Sequence, residues 1–307
     1  MTSSQTAGVR ARYNPIYISA RLLRRAMPEA IAQRWLSRRG ISAGELYRQT
    51  SSKYLRAIVE GGLAGEFVPD ADLTIMETGT GLYNPAAAPL MLSGASRLIL
   101  LEPFIGPQPD YDRFRTRFHA LLTSANEDAG YPLAKQAAQA PAIANEAGAL
   151  PPGVELSTQL WEETGLPEAS VDGIFSSSVL EHLRDADGVL KECGRIVKPG
   201  GFMVNIVDMR DHFFRYPFEM LKFSEAGWGK LTTGDGGSGF QNRWRLGRWL
   251  DCLSRHGFDT TVIPLQEDES LAEQVRPLLH EDFRNIPIEE LRVLKAILVS
   301  RRVAQNG

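Results

Sequence analysis

An acidic residue followed by two glycines is the pattern in this chain best suited to ligand chemistry. Glu77 ends the apolar run 73–77, and Gly79 and Gly81 come directly after it. Glycine has no Cβ, so the backbone can turn sharply there and lie close against a ligand. In open α/β sheets, nucleotide-like ligands bind at the turn that follows a buried strand. The pattern therefore predicts a ligand-binding turn over 77–81.

The charge around this turn disfavours a dinucleotide. Residues 82–85 supply no third glycine for a Gly-x-Gly-x-x-Gly run, and Glu77 would repel a pyrophosphate. Glu77 instead suits a ligand with positive charge, such as an amino or sulfonium group. Glu102 ends the next apolar run, where a carboxylate can accept hydrogen bonds from a ribose diol. It follows Glu77 by 25 residues, somewhat more than the roughly 20 of the dinucleotide fingerprint.

Two later segments add to this pattern. Leu-Glu-His stands at 180–182 after the apolar run 171–176, and Lys-Pro-Gly-Gly stands at 198–201 before another run. With the acidic glycine turn and Glu102, they resemble the class I S-adenosylmethionine-dependent methyltransferases, in particular the type 11 group. The resemblance covers about residues 71–207 and is specific in its combination, although each piece alone is not.

This resemblance implies a Rossmann-like α/β fold, with S-adenosylmethionine as cofactor and S-adenosylhomocysteine as product. The sheet would have seven strands, mostly parallel, with an antiparallel last strand and helices on both faces. The implied cofactor contacts are Glu77, Thr78, Gly79, Thr80 and Gly81 for the methionine end, Glu102 with Pro103 for the ribose, Leu160 and Trp161 for adenine, and Ser176 and Ser177 beside the methionine moiety. Residues 157–162 depart from the family's adenine motif.

His182 is the best single candidate for a general base, because an imidazole titrates near neutral pH. The alternative is a histidine that caps a helix or packs. In some quinone-biosynthesis relatives the Glu-His pair helps bind a divalent metal, together with an acid three residues earlier. Ser178, or Val179 by a neighbouring count, occupies that position here, so no metal is expected.

A second candidate set follows the fifth predicted strand. Asp211 or His212 is a possible base, Arg210 would bind an anionic substrate, and Phe213 and Phe214 would contact the substrate. The alternative is a solvated loop with a local ion pair.

The elements that must position these residues alternate between short apolar strands and helices, which is typical of a parallel sheet. The predicted strands are 73–77, 97–102, 154–156, 171–176, 201–207, 258–264 and 294–300, and the predicted helices include 45–60, 111–122, 186–196 and 245–256. Residues 1–70 are predicted to form a helical cap on a methyltransferase domain over 71–307. Insertions at about 104–152 and 208–242 follow strand ends, which favours substrate-side lids over ordinary solvated loops.

Composition narrows the function classes. The net charge of -3 makes no case for nucleic acid. The two cysteines lack metal-ligand spacing, which favours a reducing cytoplasm, and no apolar run is long enough to span a membrane. The N-terminal region is rich in arginine, which fits a folded helical segment, a targeting peptide or a surface facing an anionic partner.

The sequence thus predicts methyl transfer to a small molecule or glycan, with a hydroxyl oxygen as the favoured acceptor atom. The alternatives are N-methylation of an amine, a non-catalytic relative that only binds the cofactor, and a nucleotide-binding oxidoreductase. The resemblance of 216–223 to methyltransferases near glycan genes favours a sugar or polyol acceptor. The sequence carries no prediction of oligomeric state.

Overall fold

The structure is a computed structural model that describes residues 13–26, 51–68, 71–79, 86–92, 94–103, 108–127, 150, 152–212, 216–232 and 240–303. One seven-stranded sheet runs through it in the order β3-β2-β1-β4-β5-β7-β6. The strands are β1 (Leu73–Thr78), β2 (Ala95–Leu101), β3 (Val154–Ser157), β4 (Val171–Ser177), β5 (Val197–Asp208), β6 (Phe258–Glu267) and β7 (Val293–Arg302). Only β7 runs against its neighbours β5 and β6. The predicted fold is confirmed.

The central strands are buried on both faces, as the continuous apolar runs predict. Ile75 and Met76 of β1 are fully buried, and they face opposite sides of the sheet. The described helices are α1 (Pro15–Ala26), α2 (Ser52–Glu60), α3 (Gln108–Glu127), α4 (Ala186–Ile196), α5 (Glu225–Leu231), α6 (Leu246–Arg255), α7 (Glu269–Val275), α8 (Glu281–Arg284) and α9 (Ile288–Leu291).

The helices cover the sheet in two layers. On one face, Tyr54 of α2 and Phe118 of α3 share a core with Phe175 of β4. On the other face, Val189 of α4 and Trp249 of α6 share a second core with Met76 and Ile174. These cores hold the strands in register, so that the carboxyl ends of β1, β2, β4 and β5 form one edge.

A third apolar cluster lies outside these two layers. Tyr17 of α1 packs with Phe218 and Trp228 of the segment after β5, and with Leu291 of α9. The N-terminal helix is thus held on the 216–232 segment, while α2 belongs to the core of the sheet. The division at residue 70 and the lid role of 208–242 stay predictions.

Element boundaries differ from the sequence-based ones mainly at the ends. The helix 186–196 agrees with α4, whereas β5 begins at Val197, before the predicted Gly201. The Lys-Pro-Gly-Gly stretch forms an irregularity within β5, where the register against β4 shifts between Val171 and Gly173, and Gly200 has a φ of +79°. A bulge and a turn need the same residue types, which is why the sequence did not separate them.

No helix in the described ranges combines the length and apolar character that a membrane crossing requires.

Candidate functional site

The acidic residue of the first turn lies deep in the protein. Glu77 is 1% exposed. Its Oε1 accepts a hydrogen bond from the Tyr54 hydroxyl at 3.2 Å, and its Oε2 accepts one from the Ala87 backbone N–H at 3.0 Å. Burial raises the pKa of Glu77 to about 8, against these hydrogen bonds, and the charge of Glu102 adds to the rise. A cationic group nearby would favour the ionised form of Glu77.

The turn itself requires glycine at its first position. Gly79 has a φ of +64°, and a Cβ there would lie 2.2 Å from Cγ2 of Val179 in the loop after β4. Both the left-handed backbone and this close approach exclude a larger residue. Thr78 before it is buried, while Thr80 and Gly81 lie outside the described residues.

The ends of β2 and β3 continue the same edge. Glu102 is 4% exposed, and its backbone N–H donates to the carbonyl of Ser157 at 2.9 Å. Pro103 is half-buried. Two positions were predicted to contact adenine. Trp161 is buried, whereas Leu160 is 53% exposed, so the two side chains differ in their access to solvent.

The end of β4 carries a buried polar pair and a strained backbone. Ser176 Oγ donates to Oδ1 of Asn205 on β5 at 2.7 Å, and Ser177 is half-buried. Ser178 adopts a φ of +56°, which is costly for a residue with a Cβ and is often found at functional sites. This conformation brings Val179 against Gly79.

Two histidines meet just beyond β4 and β5. The rings of His182 and His212 lie with centroids 4.9 Å apart. His212 Nε2 is 3.6 Å from Oε1 of Glu181 and 3.9 Å from Oδ1 of Asp208. Glu181 also accepts a hydrogen bond from the Asp208 backbone N–H at 3.2 Å, and its Oε2 has no partner among the described residues. The two histidines, predicted from separate segments, are therefore one site.

Comparison with known proteins bears directly on this arrangement. A family model described as a methyltransferase domain matches residues 129–205, which include β3, β4 and the first part of β5. The match covers 77 of the 307 residues and supports a class I S-adenosylmethionine-dependent methyltransferase. The protein is an enzyme that uses S-adenosylmethionine as its cofactor.

Other comparisons add little. No curated protein matches this methyltransferase. Solved structures that resemble it include an S-adenosylmethionine-dependent methyltransferase of Mesorhizobium loti (16% identity, 79% of this chain and 96% of that one, TM-score 0.44). A candidate methyltransferase of Bacillus halodurans is also similar (12% identity, 81% and 99% of the chains, TM-score 0.45). At these TM-scores the likenesses carry no argument about this chain.

The residues present fit the cofactor. The buried carboxyl groups of Glu77 and Glu102 end adjacent strands and interact electrostatically. A buried carboxyl group at each position can receive a cationic amino group or a pair of hydroxyl donors. The methyl group of the bound sulfonium is already activated for transfer. The individual contacts stay predictions.

The methyltransferase holds its two histidines neutral at neutral pH. Burial lowers the pKa of His182, against a hydrogen bond between Nδ1 and the Phe240 carbonyl at 2.7 Å. Burial and the His182 ring lower the pKa of His212 to about 4, although 30% of its side chain is exposed. Burial raises the pKa of Glu181 to about 8. Burial also acts to raise the pKa of Asp208, but Arg210 and Lys295 bring it down to about 2.

The other predicted residues after β5 are engaged within the protein. Asp211 is 2% exposed, and its carboxylate pairs with the Arg21 guanidinium and accepts from the Tyr17 hydroxyl, both of α1. Arg210 donates to both carboxylate oxygens of Asp208 and to Gln266. Phe213 and Phe214 lie outside the described residues.

Among the residues that the structure describes, two sets of side chains have metal-ligand chemistry. The ligand atoms of Glu181, His182 and His212 lie within 4.8 Å of one another, and a second set is Asp187, Cys252 and His256. In the second set, Arg255 already pairs with Asp187. The absence of a resident metal stays a prediction.

Glu181 and Asp208 are carboxyl groups of this candidate site that the sequence did not single out. Both lie inside the quoted motifs, but their closeness depends on the pairing of β4 with β5. The available signal was that Glu181 adjoins His182 and that Asp208 stands four residues before His212.

Proposed function

We propose that the protein transfers the methyl group of S-adenosylmethionine to a hydroxyl oxygen of a small molecule or glycan. The observation that carries the proposal is the contact between two imidazole rings, His182 and His212, beyond the carboxyl ends of β4 and β5. Ligands bind at this edge in open α/β sheets.

The acceptor chemistry explains why such a pair is useful. A hydroxyl group must lose its proton as its oxygen is methylated, whereas a neutral amine can attack without a base. The departing proton becomes strongly acidic as the oxygen gains positive charge, so even a weakly basic imidazole can accept it. A histidine that is already neutral is ready for this role over a wide pH range.

His182 is the better placed base of the two. Its Nδ1 lies 2.7 Å from a carbonyl oxygen, so Nδ1 carries the proton and Nε2 keeps a free lone pair. His212 lies beside Glu181 and Asp208. The ionised Asp208 stabilises positive charge on the histidine pair once a proton has been taken up.

Asp211 has a different role in this proposal. Its carboxylate is shared by Arg21 and Tyr17 and is shielded from solvent. We assign Asp211 the role of holding α1 over the segment after β5. We assign the proton transfer to the histidine pair. The other substrate-side and cofactor contacts are those given by the resemblance.

The experiment is a methylation assay with purified protein, S-adenosylmethionine and a panel of sugars, polyols and phenols, each matched with its amino analogue. S-adenosylhomocysteine formation reports turnover, and mass spectrometry reports which atom is methylated. The expected result is methylation of hydroxyl acceptors. His182→Asn should lower kcat by about 10²- to 10⁴-fold, the usual contribution of a general base.

His256→Asn is the matched control, because His256 precedes β6 at the opposite edge of the sheet and contacts Asp187. It should leave turnover unchanged. Preferential methylation of the amino analogues, with no effect of His182→Asn, would favour the N-methylation alternative.

A further inference from the structure

The carboxyl end of β5 carries positive charge that the proposed reaction does not use. We propose that Lys53 and Lys295 bind an acidic group, a carboxylate or a phosphate, on the methyl acceptor. The inference rests on the proposed function for the statement that the ligand is the acceptor. It narrows the acceptors to hydroxy acids or phosphorylated hydroxyl compounds.

Asp208 is the carboxylate at the centre of the charged cluster. Arg210 Nε donates to its Oδ1 at 2.8 Å, and Lys295 Nζ lies 3.4 Å from its Oδ2. Asp208 and Lys295 are direct partners across β5 and β7. One carboxylate therefore serves two cations.

Lys53 is a third cation, and it lies on α2, a helix that contacts β5. The hydroxyl of Ser51 donates to the Ala86 carbonyl at 3.0 Å, and the hydroxyl of Tyr54 donates to Glu77. These bonds fix the start of α2 beside the end of β1. Lys53 lies between them and is half-buried. Within the described ranges its ammonium group has neither a hydrogen bond nor an ion pair.

The surroundings of Lys53 are positive on balance. Burial and then the charge of Lys295 lower the pKa of Lys53, with Asp208 opposing and Arg210 adding to the effect. Lys53, Arg210 and Lys295 thus share the carboxylate of Asp208, which Arg210 and Lys295 already contact. A half-buried cation without a counter-charge is unfavourable, and an oxyanion supplies both the charge and the acceptor atoms.

The cluster adjoins the proposed base. His212 Nε2 lies 3.9 Å from Oδ1 of Asp208, so an anion on Lys53 and Lys295 would place the rest of an acceptor near the histidine pair. Arg210, the residue that the sequence suggested for this task, already donates to Asp208 and Gln266. The lysines are the better anion ligands because their ammonium groups have hydrogen-bonding capacity left.

The test measures binding of sodium phosphate and of sodium acetate to the protein saturated with S-adenosylhomocysteine, against sodium chloride at equal ionic strength. Thermal shift and calorimetric titration serve as readouts. We expect phosphate, acetate or both to bind the natural protein. In Lys53→Met, binding should be weaker by about tenfold or more, because one charged hydrogen bond is lost. Lys53→Arg should keep binding, which separates loss of charge from misfolding.

The matched control is Arg56→Met, because Arg56 lies one turn along α2 on the exposed face and pairs with Glu60. Equal binding by Lys53→Met and the natural protein, or no binding beyond that of chloride, would overturn the anion site. This assay needs no methyl transfer. Anion binding together with methylation of amines alone would refute the proposed O-methylation and leave the site standing.

Discussion

The imidazole rings of His182 and His212 meet at an interplanar angle of 61° with their centroids 4.9 Å apart. The two residues follow adjacent parallel strands, β4 and β5. The His182 ring disfavours protonation of His212, and burial lowers the pKa of both residues. The pair therefore stays available as a proton acceptor in solutions where an ordinary histidine would be charged.

The pH dependence of the methylation rate should show that the two histidines stay neutral in mildly acidic solution. The pKa of both histidines is lowered, so the neutral forms persist below the ordinary imidazole pKa of about 6.5. With S-adenosylmethionine saturating, so that the cofactor holds Glu77 ionised, we expect kcat/KM for the acceptor to stay level down to about pH 6.5 and to fall only in more acidic solution. An acidic limb centred at or above the ordinary value would contradict the proposed base.

Glu102 should contribute to cofactor affinity. Glu102→Ala removes the buried carboxylate at the end of β2, and we expect binding of S-adenosylhomocysteine to weaken by about 1.5–3 kcal/mol per charged hydrogen bond lost. Calorimetric titration measures the change. Glu155→Ala is the control, since Glu155 lies exposed on β3 and pairs with Arg97. Unchanged affinity in Glu102→Ala would place the ribose elsewhere.

Gly79 should tolerate no side chain. Gly79→Ala combines a positive φ with a contact of 2.2 Å to Val179. Gly62→Ala is the matched control, because Gly62 has a φ of +71° and no atom within 4 Å of the added Cβ. We expect Gly79→Ala to lose about 1–3 kcal/mol more stability to denaturant than Gly62→Ala, through overpacking. Equal losses would show that the turn can move away from Val179.

The pair of Arg21 with Asp211 should stabilise the docking of α1. Both side chains are almost fully buried, so Arg21→Met leaves a buried carboxylate without its cation and should cost about 3–5 kcal/mol. Arg56→Met breaks the exposed pair with Glu60 and should cost about 0.3–0.5 kcal/mol. Urea unfolding compares them. If Arg21→Met costs no more than Arg56→Met, the pair contributes only what an exposed pair does.

The strands were predictable because a buried parallel strand is encoded locally, in a continuous apolar run such as 73–77 or 201–207. Their ends were less predictable. The Lys-Pro-Gly-Gly stretch is part of β5, because this strand pairs with β4. The residue types at 197–201 do not by themselves indicate that pairing. Helix α3 likewise extends beyond the predicted 111–122 at both ends.

The sheet, the glycine turn after Glu77 and the carboxylate at Glu102 were predictable from the sequence, because these features depend on residues that are neighbours in the chain. The contacts between titratable groups, in contrast, depend on how the elements pack. The pairing of β4 with β5 joins His182 to His212, α1 occupies Asp211, and α2 brings Lys53 towards Lys295. Such contacts link residues far apart in sequence, and burial then sets their charge through desolvation, which no local pattern encodes.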